Sequence, residues 1–123
     1  MGKPTVKASL RVSKAPLRVG SVVLVIFPFS NLKGQKIRPA LVLAEVEFGN
    51  IVLCQITSKP YTSKLAIPTN LKDFAKGSLP IESFVRPDKL FTADVTIIKN
   101  IVGYLTPATK NKILKSVRNL FTY

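Results

Sequence analysis

The sequence predicts one mostly β domain, a small curled sheet or barrel with a single amphipathic helix packed on it at the C-terminus. Three observations lead there. Short runs rich in Val and Ile recur from Gly20 to Leu105, and proline, glycine or asparagine closes them, as strands and turns require. After Thr106 the apolar spacing changes to that of a helix. The 123 residues, 46% of them hydrophobic, suffice for one domain with its own core. Many short strands followed by one helix are best served by a sheet that curls and takes the helix on one face.

Each element has its own reason. Residues 1–18 carry Lys3, Lys7, Arg11, Lys14 and Arg18 and no acid, and Pro4 and Pro16 interrupt any periodicity. They are expected to form a flexible basic arm, with residues 19–123 as the folded domain. Ser21–Phe27 is too apolar to be half exposed along its length, so it reads as a central strand that Pro28 ends. Phe29–Lys36 is a loop marked by Ser30, Asn31 and Gly34. Arg38–Val46 and Ile51–Thr57 are the next two strands, joined at Gly49-Asn50 into a hairpin. Ser58–Ser63 is a polar, basic loop, Lys64–Pro68 a short strand, and Leu71–Ala75 one helical turn before Gly77. Ser83–Thr92 alternates in part, and Pro87 within it marks a sheet edge or a bulge. Val95–Leu105 is strand again, with Lys99-Asn100 as a break and Gly103 as a close-packing or bulge position. Thr106 is placed to cap a helix with Pro107 in its first turn, and Ile113, Leu114, Val117, Leu120 and Phe121 follow at helical spacing.

Composition excludes several chemistries. The chain has no histidine. That removes Ser-His, Cys-His and paired-histidine nuclease sites and most zinc sites. The six acids are scattered, and the close pair Glu45 and Glu47 reads as solvated residues at a strand end, so neither a metal nor a cofactor is expected. Cys54 is alone in an apolar run and reads as a buried, inert thiol. The N-terminus has no apolar core of the signal-peptide kind, and Val22–Phe29 is too short to span a bilayer, so the expected compartment is the cytoplasm. Nineteen Lys and Arg against six Asp and Glu give a net charge of +13. Self-repulsion on that scale points to a polyanionic partner, and nucleic acid fits best. A strongly acidic protein fits the charge equally well; a membrane surface is not favoured, because no helix has a large apolar face.

The motifs then add a family. Gly20-Ser-Val-Val-Leu-Val-Ile-Phe-Pro-Phe, a polar loop, and Lys36-Ile-Arg-Pro-Ala-Leu-Val-Leu resemble the opening of MazF/PemK-type toxins. Gln55-Ile-Thr57 with Ser58, Leu79-Pro followed by Ser83-Phe-Val-Arg-Pro-Asp-Lys-Leu-Phe-Thr92, and Gly103-Tyr-Leu-Thr at the head of the last helix are similar to the family's later motifs, in the same order. The resemblance covers Gly20 to about Leu120. It implies an SH3-like barrel, a homodimer, cleavage of single-stranded RNA, and an acidic antitoxin as protein partner.

Cutting RNA through the 2′-hydroxyl needs a proton acceptor, positive charge on the phosphorane, and a proton donor to the leaving 5′-oxygen. Without histidine, guanidinium and hydroxyl groups must carry much of this. Arg38 opens a strand after a basic loop, and its planar fork can hold two phosphate oxygens. On its own chemistry it reads rather as an arginine snorkelling at a strand end or paired with Glu45 or Glu47; the resemblance reverses that and gives it the catalytic role, together with Thr57 on the neighbouring strand. Arg86-Pro87-Asp88 matches the Arg-x-Asp spacing to which the Kid/PemK branch gives acid and base roles. Residues two apart on a strand share a face, so the pair could serve one site, or it could be a structural ion pair. That branch also carries a histidine in the first loop, which is absent here. Lys33, Lys36, Ser58, Lys59, Tyr61 and Lys64 are the candidate RNA-binding residues, through phosphate neutralisation and stacking on Tyr61. The rival functions are a nucleic-acid-binding barrel that has lost catalysis and, less favoured in a chain without tryptophan, a gyrase poison on the same fold.

Overall fold

The computed structural model describes residues 16–27, 36–59 and 63–122. The described residues form seven strands and one helix: β1 (Ser21–Phe27), β2 (Lys36–Glu45), β3 (Asn50–Thr57), β4 (Ile67–Thr69), β5 (Phe74–Gly77), β6 (Ser83–Asp94), β7 (Ile98–Leu105) and α1 (Pro107–Asn119). They form one antiparallel sheet in the order β4-β6-β3-β2-β1-β7-β5. The mostly β reading with a C-terminal helix is borne out.

β1 lies between β2 and β7 and is buried from both sides, which is why its sequence shows no polar alternation. Successive residues feed two cores. Val23, Val25 and Phe27 join Ala40, Val42, Ile51, Leu53, Ile98, Ile101 and Tyr104 on one face. Val22 joins Leu41, Leu43, Cys54, Ile56, Val85, Leu105 and the helix residue Ile113 on the other. This alternation fixes the register, since a one-residue slip would exchange the two faces.

α1 begins as its sequence predicts. Thr106 accepts a hydrogen bond from the Thr109 amide at 3.2 Å, and Pro107 occupies the first turn. Ile113 is fully buried and Leu114 and Val117 pack against the second core. Leu120 and Phe121 do not continue the stripe: the helix ends at Asn119 and Phe121 is exposed. Asp73 anchors the helix start from outside. Its carbonyl accepts from the Thr106 amide and its carboxylate from the Thr109 hydroxyl, both at 2.9 Å.

Two sequence expectations need correction. The turn at Leu71–Asp73 is followed by a strand, β5, where a helical turn to Ala75 was expected. β5 exists because Gly103 lets it approach β7: a Cβ on Gly103 would lie 2.5 Å from the Lys76 carbonyl oxygen and 2.9 Å from the Phe74 ring. Lys99-Asn100 is not a break. Asn100 pairs with Leu24, Ile98 with Val25, and Lys99 is the extra residue of a bulge. The interruption falls earlier, at the Val95–Ile97 turn that Asp94 caps.

The start of the described chain is docked. The Tyr104 hydroxyl donates to the Pro16 carbonyl at 2.6 Å, the Arg18 guanidinium lies 3.9 Å from the Tyr104 ring centroid, and Leu17 packs on the first core. The remainder of the expected arm, residues 1–15, lies outside the described residues. Among the described residues no helix is long and apolar enough to cross a membrane.

Candidate active site

The candidate residues meet where three neighbouring strands, β2, β3 and β6, run side by side. Ala40 of β2 pairs with Gln55 of β3, and Gln55 pairs in turn with Arg86 of β6. Two residues further along β2 and β3 stand Arg38 and Thr57, and Thr57 pairs with Phe84 of β6. The site is therefore a lattice of two rows: Ala40, Gln55 and Arg86 in one, Arg38, Thr57 and Phe84 in the other. Strand geometry spaces the rows by about 7 Å and the strands by about 5 Å. All six lie on one face. Leu41, Cys54, Ile56 and Val85, their neighbours in sequence, belong to the core on the opposite face.

Arg38 is exposed at the open end of β2, opposite Val25 of β1. Among the described residues it has no ion pair, so Glu45 and Glu47 do not hold it. Pro39 behind it fixes the backbone from which it projects. Thr57 is half-buried. Its hydroxyl accepts from the Lys59 amide at 3.0 Å and lies 3.4 Å from the Lys59 carbonyl oxygen, a turn that sets the side chain's direction as the strand ends.

Arg86 and Asp88 are held by a bulge. Cys54 pairs with Leu90 and the next residue, Gln55, with Arg86, so Pro87, Asp88 and Lys89 have no opposite number on β3. Pro87 is fully buried, and its missing N–H costs nothing where no ladder runs. Arg86 Nε donates to Asp88 Oδ1 at 2.9 Å and Nη2 to Oδ2 at 2.8 Å, a bidentate pair. The Arg86 hydrogen bonds hold the Asp88 carboxyl below its ordinary range, and the same contact raises the guanidinium. Cys54 behind the bulge is pushed up to about 12, by burial first and by the negative charge of Asp88 second. It is the inert thiol its sequence context indicated.

The basic residues distribute around this lattice. Lys36 is exposed at the head of β2, opposite Phe27. Ser58 and Lys59 are exposed just past Thr57, and Lys64 is exposed on the stretch leading to β4, which pairs with Ser83–Val85 of β6. Lys33 and Tyr61 lie outside the described residues. Two members of the lattice were missed in the sequence, Gln55 and Phe84. Their signal was the two-residue period, which places Gln55 on the face of Thr57 and Phe84 on that of Arg86.

Residues 18–121 match the model of the family described as PemK-like, MazF-like toxin of type II toxin-antitoxin system. The chain belongs to this toxin family. Its fold agrees with that of solved members. A MazE-MazF crystal structure from Deinococcus radiodurans aligns with a TM-score of 0.66 at 16% identity, covering 88% of this chain and 97% of that one. An endoribonuclease in complex with its cognate antitoxin from a mycobacterial species aligns at 0.63 and 23% identity, covering 85% and 93%. The Mycobacterium tuberculosis toxin MazF-mt6 aligns at 0.61 and 23%, covering 82% and 95%. No curated protein matches the sequence. In the MazF fold so established, the PemK-like motifs Lys36–Leu43, Gln55–Ser58 and Ser83–Thr92 are the segments that carry the two-row lattice.

Proposed function

We propose that this toxin is an endoribonuclease that cleaves single-stranded RNA by attack of the 2′-hydroxyl, without a metal ion. The observation that carries the reading is the Arg38–Thr57 row. Two residues beyond the Ala40–Gln55 pair, it brings a guanidinium with no ion pair among the described residues beside a hydroxyl, at the exposed end of β2, in a chain with no histidine and a charge of +13. The solved mycobacterial endoribonucleases that share the fold support the same activity.

In this reading Arg38 clamps two non-bridging oxygens of the scissile phosphate and faces the charge that grows on them as the 2′-oxygen attacks phosphorus. Thr57 donates to one of those oxygens. The P–O5′ bond breaks, the 5′-oxygen takes up a proton, and the products are a 2′,3′-cyclic phosphate and a 5′-hydroxyl. Both Asp88 oxygens are held by Arg86 and the carboxyl is a weak base, so the 2′-hydroxyl proton passes to solvent and the Arg86–Asp88 pair is structural. Lys36, Ser58, Lys59 and Lys64 line the path of the strand, with Lys33 and Tyr61, outside the described residues, as further RNA-binding candidates, and the protein acts in the cytoplasm as a homodimer held in check by an acidic antitoxin. Solved MazE-MazF and endoribonuclease–antitoxin complexes support the last point. The test is Arg38→Lys, which keeps the charge and loses the fork. Cleavage should fall on the order of a hundredfold with an unchanged melting curve. Near-normal cleavage by Arg38→Ala would refute the assignment.

A further inference from the structure

We infer that the tip of the β2–β3 hairpin is a docking surface for the chain's own basic arm, with Val46 and Phe48 as the apolar contact and Glu45, Glu47 and Asp94 as the charged rim. The inference is independent of the RNA reading. It starts from an apolar surface that none of the described residues covers. Phe48 is 89% exposed and Val46 50%. Phe48 also holds a left-handed backbone, φ 61°, a conformation that glycine or asparagine adopts more readily than an aromatic residue.

Three observations select the occupant. The first is where the described chain begins. Gly20 donates to the Val42 carbonyl at 2.9 Å, so the chain enters the sheet four positions along β2 from Val46, about 13 Å of strand. Tyr104 holds Pro16, and Leu17 packs on the first core, as Val95 and Ile97 do. The hairpin tip meets the same turn: a Cβ on Gly49 would lie 3.9 Å from Val95 Cγ1. The second is length. Residues 1–15 precede Pro16, and the steps from Pro16 back to Val12 already span about 13 Å when extended.

The third is complementarity. Glu45, Glu47 and Asp94 are half of the chain's six acids, and the Asn50–Asp94 pair brings Asp94 beside the tip. All three are exposed, and neither Glu45 nor Glu47 has an ion pair among the described residues. The arm carries Lys3, Lys7, Arg11 and Lys14 and no acid. Between its two prolines, Val6, Ala8, Leu10 and Val12 alternate with polar or basic residues, so an extended arm has one apolar face. That face meets Val46 and Phe48, and the long basic side chains bend back to the carboxylates at the rim. A nucleic acid at this tip would face carboxylates and be repelled. The arm's charges are thus held at one end of β2, away from Arg38 at the other.

The experiment uses the full chain, which has no tryptophan, so that Phe48→Trp supplies a single fluorophore. At low salt its emission should be blue-shifted and severalfold less quenched by acrylamide than in the same protein carrying Lys7→Glu, Arg11→Glu and Lys14→Glu. Adding Glu45→Lys and Glu47→Lys to that protein should restore the protection, and salt should weaken it in both. A second readout leaves Phe48 in place: trypsin should cut after Arg11 and Lys14 severalfold more slowly in the wild type than in Phe48→Asn, which keeps the left-handed turn and loses the ring. Thermal melts establish that each variant is folded. Equal quenching with either arm, or equal cutting of wild type and Phe48→Asn, overturns the inference. Protection that grows with protein concentration gives the surface to a second copy's arm and overturns docking within one chain. Weaker RNA retention by the reversed arm at unchanged quenching assigns the arm to RNA and overturns it too.

Discussion

Arg86 reaches across Pro87 to grip Asp88 by two parallel hydrogen bonds, 2.9 and 2.8 Å long, within a three-residue bulge of β6. The pair is partly buried, and two of the five guanidinium N–H groups meet the two carboxylate oxygens. It spans the bulge that separates the two stretches of β6 paired with β3, Phe84–Arg86 and Leu90–Asp94. A guanidinium and a carboxylate so arranged do little acid–base work, since each stabilises the charged form of the other.

That relationship separates two roles for Asp88. Asp88→Asn leaves Arg86 with one neutral partner and is expected to cost roughly 1–3 kcal/mol, read from denaturant melts. Cleavage per folded molecule should stay within a few-fold of wild type. A crippled rate at unchanged stability, with the acid limb of the pH–rate profile gone, would instead make Asp88 the general base.

The same pair makes acid stability specific. The Asp88 pKa lies below its ordinary value of 3.8 in the folded chain, with the Arg86 hydrogen bonds as the main cause. A depressed carboxylate stabilises the fold fully above the unfolded value and loses that contribution as pH falls through the folded one. The melting temperature should therefore drop below about pH 4, and part of that drop should be missing in Asp88→Asn. Asp94, held low by the Thr96 amide, titrates in the same window, so the difference between the two proteins is the quantity to measure. Parallel pH profiles for both would rule out the Asp88 contribution.

Packing predictions concentrate on β7 and α1. Gly103→Ala sets a methyl against the Lys76 carbonyl and the Phe74 ring and should cost about 1–3 kcal/mol, with β5 the first element to lose amide protection. Ile113→Ala opens a cavity under the helix and should cost about 2–5 kcal/mol. Phe121→Ser, at an exposed position beyond the helix, should change the melt by less than about 0.5 kcal/mol.

What the sequence told, it told through periodicity and punctuation. The β2–β3 hairpin, the Thr106 cap and the Pro87 bulge were legible because each rests on a local rule: alternation, a side-chain cap, a missing N–H. β5 was not, since Phe74–Gly77 is a strand only through its contact with Gly103, a residue 26 positions from Gly77. Lys99 looked like a break because its polarity resembles a turn, whereas a single bulged residue accommodates it. Arg38 and Thr57 were found through a family's motifs. Gln55 and Phe84 were passed over because an amide and an aromatic in apolar strands read as filler until the cores are seen to exclude Phe84 and the ladder to centre on Gln55.

The charge imbalance sets an expectation for regulation. An acidic, partly disordered antitoxin should associate fast, with a rate that falls steeply as salt is raised. Its carboxylates should cover Arg38, Lys36 and Arg86, so bound toxin should neither retain nor cut RNA. Stopped-flow binding at several salt concentrations, combined with an RNA protection assay, checks both statements. An acidic partner that binds while cleavage continues would defeat occlusion of the site. The free toxin should sediment as a dimer at micromolar concentration, and a monomer there would remove the dimer from the account.

The central claim is that this face cuts RNA with guanidinium and hydroxyl chemistry alone. The most direct measurement is the end-group analysis of an RNA pool incubated with the purified toxin in EDTA. The account predicts fragments that end in a 2′,3′-cyclic phosphate and begin with a 5′-hydroxyl, and no cutting where the 2′-hydroxyl is replaced by hydrogen. Intact RNA in EDTA that is cut once magnesium is restored, or fragments that begin with a 5′-phosphate, would contradict it.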